Sequence, residues 1–193
     1  MRRISGGDKA KKFMTYLIGF IMVGSVFGVI FFGFGAANAA TAKYNGFKFV
    51  NKGNFWSTNV NGREALFTYF PADAEQVQTE DDAISRLKGA IEIDATSDFN
   101  DTLAEPIALA QFQMGTTLFN FNIFVRSGFT AQYQNIPAIT CNHATASVPV
   151  VYFKSSNETK IYTEGNCIVA EALNAADAIR AKDRMVYGLL GVI

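Results

Sequence analysis

The sequence predicts a mixed α/β or α+β domain, with about three helices flanking its sheet, preceded by one N-terminal transmembrane helix. Three observations lead there. Residues 13–34 form an uncharged apolar run. Beyond residue 43, short runs rich in β-branched and aromatic residues are bounded by turn residues, as strands are. Between them lie three stretches with the 3.6-residue apolar period of helices. With 18 Phe and 7 Tyr among 193 residues, the chain has the apolar material for one core plus an appendage, not for disorder.

Charge is unevenly placed. Net charge is zero, but residues 1–12 hold Arg2, Arg3, Lys9, Lys11 and Lys12 against Asp8, a net +4, and the remainder is left at −4. A mildly acidic body argues against nucleic acid as a partner, because phosphate-backbone binding needs a concentrated basic surface.

The run FMTYLIGFIMVGSVFGVIFFGF reaches roughly 33 Å as a helix, enough for a ~30 Å hydrocarbon core. The lipid bilayer is therefore the first expected partner, through residues 13–34. Small residues follow in FGAANAATA, which fits a cleaved signal peptide, but the apolar run exceeds the usual length of a signal core and favours a retained anchor. A pilin-like leader cut after RRISGG fits less well, because DKAKK separates the glycines from the apolar run. The basic tail 1–12 keeps the N-terminus in the cytoplasm by the positive-inside rule, which places residues 43–193 outside. Gly24 and Gly28 form a G-x-x-x-G, the spacing that lets two membrane helices approach closely and form a homodimer.

Residues 35–43 are small and weakly polar and form a linker; the domain spans 44–193. KYNGFKFV (43–50) reads as the first strand. FWSTNV and REALFTYF flank Asn61-Gly62, a hairpin turn whose two positions need positive φ. A two-residue turn pairs Val60 with Arg63 and sets Trp56 opposite Phe67, on one face with Tyr69. Pro71 ends the hairpin. Thr79 and Asp82 suggest a capping box; Ala83, Ile84 and Leu87 form a short stripe, and Gly89 stops the helix. AIEIDA (90–95) reads as a strand.

The second helix starts near Pro106, where a first-turn proline costs no hydrogen bond, with Ile107, Ala110, Met114 and Leu118 on one face. NIFVRSGF (122–129) is a strand. PVVYF, TKIYT and CIVAEA (149–153, 159–163 and 167–172) read as a meander with SSNE and EGN as turns. The last helix follows Asn174, a good N-cap. There Ala175, Ile179, Lys182, Val186 and Leu190 repeat at helical spacing, with Lys182 expected to snorkel.

The chain has two cysteines and one histidine. Cys141 and Cys167 close a loop of 27 residues. An oxidising exterior favours a disulfide between them, worth roughly 3.5 kcal/mol in the chain-entropy model. Three other readings stay open: two buried thiols, a zinc site with His143, and a Cys141 nucleophile with His143 as base. Zinc normally shows four ligands, and no third group is visible to orient the imidazole.

Glu92, Asp94, Asp98 and Asp101 cluster in EIDATSDFND without a calcium-loop spacing. No G-x-S-x-G, P-loop, G-x-G-x-x-G, H-E-x-x-H or C-x-x-C occurs, so no catalytic residue, metal ligand or cofactor is assigned. Asn100 and Asn157 stand in N-x-T sequons and are candidate glycosylation sites on an exterior domain, Asn157 within an expected turn.

The blocks ITCNHATASVPVVYF, SNETKIYTEGNCIV and KDRMVYGLLGVI, with the hairpin FWSTNVNGREALFTYFP, resemble a group of uncharacterised archaeal single-pass membrane proteins with an extracytoplasmic domain. That resemblance implies an archaeal cell-surface setting and carries no functional residues. The expected role is binding or assembly at the cell envelope, with an envelope protein or a second copy as partner. The alternative is an anchored enzyme using Cys141 with His143, in thiol chemistry or at a metal.

Overall fold

The computed structural model describes residues 40–193. The expected tail 1–12, the apolar segment 13–34, and Gly24 and Gly28 within it lie outside the described residues. Among the described residues, no helix is long and apolar enough to cross a membrane.

A first sheet is an antiparallel meander of β1 (Thr41–Tyr44), β2 (Phe47–Asn51), β3 (Trp56–Val60) and β4 (Arg63–Phe67). β1 thus opens inside the segment expected as a linker. At Asn61 and Gly62, φ is 52° and 82°, the paired positive values of a two-residue hairpin turn. Val60 pairs with Arg63 and Trp56 with Phe67, as the turn predicts. KYNGFKFV is not one strand but two: Asn45 and Gly46 take φ of 44° and 82° and fold it by the same chemistry, pairing Tyr44 with Phe47.

A single helical turn, α1 (Pro71–Ala74), opens on its proline. It is followed by β5 (Gln78–Thr79) and α2 (Asp81–Leu87), which buries Ala83, Ile84 and Leu87. The expected capping box does not form. Pairing with Ile161 holds Thr79 in a strand, and its hydroxyl donates to the Val77 carbonyl at 2.9 Å. Glu80 is the N-cap, without a side-chain cap bond.

The second sheet has the order β5-β9-β10-β8-β6-β7. Parallel β6 (Glu92–Ser97) and β7 (Phe124–Phe129) are joined through α3 (Ala104–Phe119). Ile107, Ala110, Met114 and Leu118 of α3 are fully buried, as their spacing predicts. β8 (Val150–Ser155), β9 (Lys160–Glu164) and β10 (Cys167–Ala172) do not form the expected meander. β10 lies between the other two, parallel to β8 and antiparallel to β9. All six of its residues are buried, so it takes a central place. The four residues 156–159 suffice to cross the roughly 10 Å between strands two places apart.

α4 (Ala175–Leu189) is capped by Asn174, whose side-chain oxygen accepts from the Asp177 N–H at 3.0 Å. Lys182 does not snorkel. It is 1% exposed and donates to Asp183, itself fully enclosed. The other carboxylate oxygen of Asp183 accepts from the backbone N–H of Thr68 (3.0 Å) and Tyr69 (2.8 Å). The Tyr187 hydroxyl donates to the Tyr69 carbonyl at 2.8 Å, and its ring stacks on Phe67 with centroids 3.7 Å apart. α4 thus joins the two sheets around one core that includes Phe49, Phe67, Ile93, Phe153, Ile168 and Met185.

Candidate functional site

Among the described residues, α-helices cover one face of the second sheet and leave the other without one. Side chains alternate across a strand, so Ile93, Ala95, Val151, Phe153, Ile168 and Ala170 enter the main core under the helices. The residues between them point the other way. There a separate small cluster, built on Ile139, Val150, Cys167 and Val169, is sealed by the loop returning from β7.

Strand register arranges this second face in rows. One row runs Thr96, Tyr152, Val169, Tyr162, from β6 to β9. The next runs Lys154, Glu171, Lys160. A third runs Arg126, Asp94, Val150, Cys167, Glu164. Tyr152, Tyr162, Lys154 and Lys160 are half-buried. A trough of about 410 Å³ opens beside Tyr152 and Val169, reaching Cys141, Asn142, Glu164, Gly165 and Asn166.

The charges in these rows are fixed. Glu171 accepts from the Tyr162 hydroxyl at 3.1 Å, and its carboxylate lies 3.0 Å from Lys154 and 3.5 Å from Lys160. Burial pushes the Glu171 carboxyl up, but the bonds from Lys154 and Tyr162 outweigh it and hold the group below the usual range. Burial acts to lower Lys154, and Glu171 reverses that and raises it. Burial raises both Tyr152 and Tyr162. Every one of these groups moves away from neutrality, the opposite of what a general acid or base requires. Asp183, which burial pushes up, is enclosed in the core.

The Cys141–His143 stretch resolves as a staple. Cys141 and Cys167 form a disulfide, their Cα atoms 5.0 Å apart. The chain holds no free thiol, which leaves neither a thiolate nucleophile nor a sulfur ligand for zinc. His143 closes a 3₁₀ turn, its Nδ1 accepting from the Thr140 N–H at 2.9 Å. The disulfide ties that turn to the first residue of β10, at the rim of the trough.

The acidic cluster is dispersed into structural roles. Asp94 is 1% exposed and takes two bonds of 2.7 Å from the Arg126 guanidinium, while Glu92 stands 3.5 Å from the same group. Asp98 accepts from the Asn100 N–H. Asp101 accepts from Leu103 N–H and from Ser155 N–H, at 2.7 and 2.9 Å, joining the β6–α3 loop to the end of β8. That bond lies at the carboxyl ends of β6 and β8, where open parallel sheets place ligands. Among the described residues, no three His, Cys, Asp or Glu side chains could hold a metal ion. Asn100 and Asn157 are both exposed.

Sequence reasoning missed the uncovered face. Its signal was the alternation Tyr152/Lys154, Lys160/Tyr162 and Val169/Glu171, but only strand order brings those pairs into rows. No protein-family model, curated protein or solved structure matches the chain.

Proposed function

We propose that this chain is a single-pass membrane protein of the cell envelope, in keeping with the archaeal setting that the resemblance implies. Residues 13–34 are its anchor, and Ala40–Ile193 stands outside the cytoplasm as a binding or assembly module. The observation that carries the binding reading is the half-buried part of the second sheet's helix-free face that the loop after β7 leaves open. Tyrosines and paired charges there are held in fixed rows, with an open trough beside Tyr152, and among the described residues no α-helix lies over them. Aromatic rings with a polar tip are the side chains that interfaces favour. The disulfide supports the exterior placement, because such bonds persist in oxidising compartments. Groups locked away from neutral pH favour recognition over proton transfer.

A photo-crosslinking residue placed at Tyr162 in the full chain, in cells, should give a discrete adduct. The same residue at the exposed Glu75, just after α1, should not. Adducts of the same pattern from both positions, or from neither, would refute binding by this face.

A further inference from the structure

The outer side of α3 carries large exposed apolar side chains. Phe112 and Phe119 are 70% and 73% exposed, Leu109 is 48% exposed, and Phe124, at the start of β7, is 57% exposed. From Pro106 to Val125 the chain carries no charged residue. A surface helix normally opposes its buried stripe with polar and charged side chains. Phe55 continues the strip: with Leu109, Phe112 and Thr116 it lines a hollow of about 240 Å³, whose surface is almost wholly apolar. Phe112, Thr116, Phe119 and Phe124 then border a second hollow of about 490 Å³. The strip therefore runs unbroken from the β2–β3 turn, along α3, to the edge strand β7.

Backbone bonds bring its near end close to the chain's entry into the domain. The Asn51 N–H donates to the Ala40 carbonyl at 2.8 Å, and the next residue, Lys52, donates to the Phe55 carbonyl at 2.7 Å. Only residues 35–39 separate Ala40 from the apolar segment 13–34, a stretch whose extended length is at most about 18 Å.

We infer that this strip is a lipid-docking surface, which rests on the outer leaflet of the same bilayer that residues 13–34 enter. The inference depends on the anchor reading above. A charge-free row of protruding phenylalanines suits the boundary between headgroups and acyl chains, where apolar side chains gain by burial. Because the anchor holds the chain at the membrane, the strip need only orient the domain, and it does so without the basic residues that a free-standing interfacial helix uses. α3 lies on the helix-covered side of the second sheet, so docking along α3 turns the uncovered face, with Tyr152, Glu171 and Tyr162, away from the lipid and toward partners.

The test uses the full chain reconstituted into phosphatidylcholine vesicles, with an environment-sensitive fluorophore on Phe112→Cys or, as control, on Glu158→Cys in the β8–β9 turn. The native disulfide is kept oxidised throughout. Lipids carrying a nitroxide high on the acyl chain should quench the probe at 112 several-fold more than the probe at 158, while aqueous iodide should show the reverse order. Equal lipid quenching at both sites, with the chain resistant to carbonate extraction, overturns docking and leaves the anchor standing. A probe at 112 shielded from both quenchers, with 112-to-112 crosslinks, overturns it in favour of a second copy. Release of the chain by carbonate overturns the anchor and the docking together.

Discussion

Replacing Asp183 with alanine should be among the most damaging single changes in the domain. Asp183 is fully enclosed and meets three donors: the Lys182 ammonium and the backbone N–H groups of Thr68 and Tyr69. Asp183→Ala leaves the 1%-exposed Lys182 without a counter-ion and two N–H groups at the end of β4 without acceptors. Breaking a buried pair from one side costs about 3–5 kcal/mol, and for a domain of about 150 residues each kcal/mol is worth roughly 2–4 °C, so Tm should fall by about 6–20 °C. Trp56 is the only tryptophan. Its ring lies 4.9 Å from Phe70, just beyond the two orphaned amides, and its fluorescence reports unfolding of the full chain in detergent. Removing both charges with Lys182→Met and Asp183→Asn should cost less than Asp183→Ala alone, since no unpaired ion is then left inside. A fall of under about 3 °C for Asp183→Ala would place the change within ordinary surface effects. It would then refute the claim that this pair joins the two sheets.

Three further outcomes follow from the same geometry. Gly128→Ala would put a Cβ 2.6 Å from the Pro137 carbonyl oxygen and 2.7 Å from Ile139; the clash should cost about 1–3 kcal/mol and speed amide exchange at Ile139, whose N–H bonds Phe129. Replacing Cys141 and Cys167 together with serine should lower stability by roughly 3.5 kcal/mol, and reduction of the native protein should lower Tm by a similar amount. Glu171→Gln tests the charge row. A carboxyl held below its ordinary value adds stability above the unfolded pKa, which is lost as pH falls through the folded one, so the Tm gap between native protein and variant should close as pH drops from neutrality to about 3. A gap that stays constant over that range would show that the row is not built on the Glu171 charge.

Local chemistry was the most legible part of the fold. Asn61-Gly62 fixes the register of β3 and β4 because so few residues accept two successive positive φ values. Asn45-Gly46 carries the same signal and was hidden only by the apolar run around it. The α3 stripe and the Asn174 cap were also readable, since both depend on residues within a few positions of each other. Strand order was not. Turn residues near 156–158 and 164–166 suggest neighbours in sequence, whereas burial of all of β10 makes it central and moves β8 and β9 apart. Lys182 misled for a related reason: helical spacing places it on the apolar stripe, but its fate depends on Asp183 and on a strand end more than 110 residues earlier. The uncovered face needs the same long-range order, and the sequence alone holds only its alternation. On α3, Phe112 and Phe119 interrupt the polar face that a surface helix normally opposes to its buried stripe, a signal that only their exposure in the fold makes plain.

The central claim, an anchored domain outside the cytoplasm, is tested most directly by topology. An epitope tag fused after Ile193 should bind antibody on intact cells as strongly as on permeabilised ones, with the chain retained in carbonate-washed membranes. Binding only after permeabilisation would place Ala40–Ile193 inside the cytoplasm and contradict the claim.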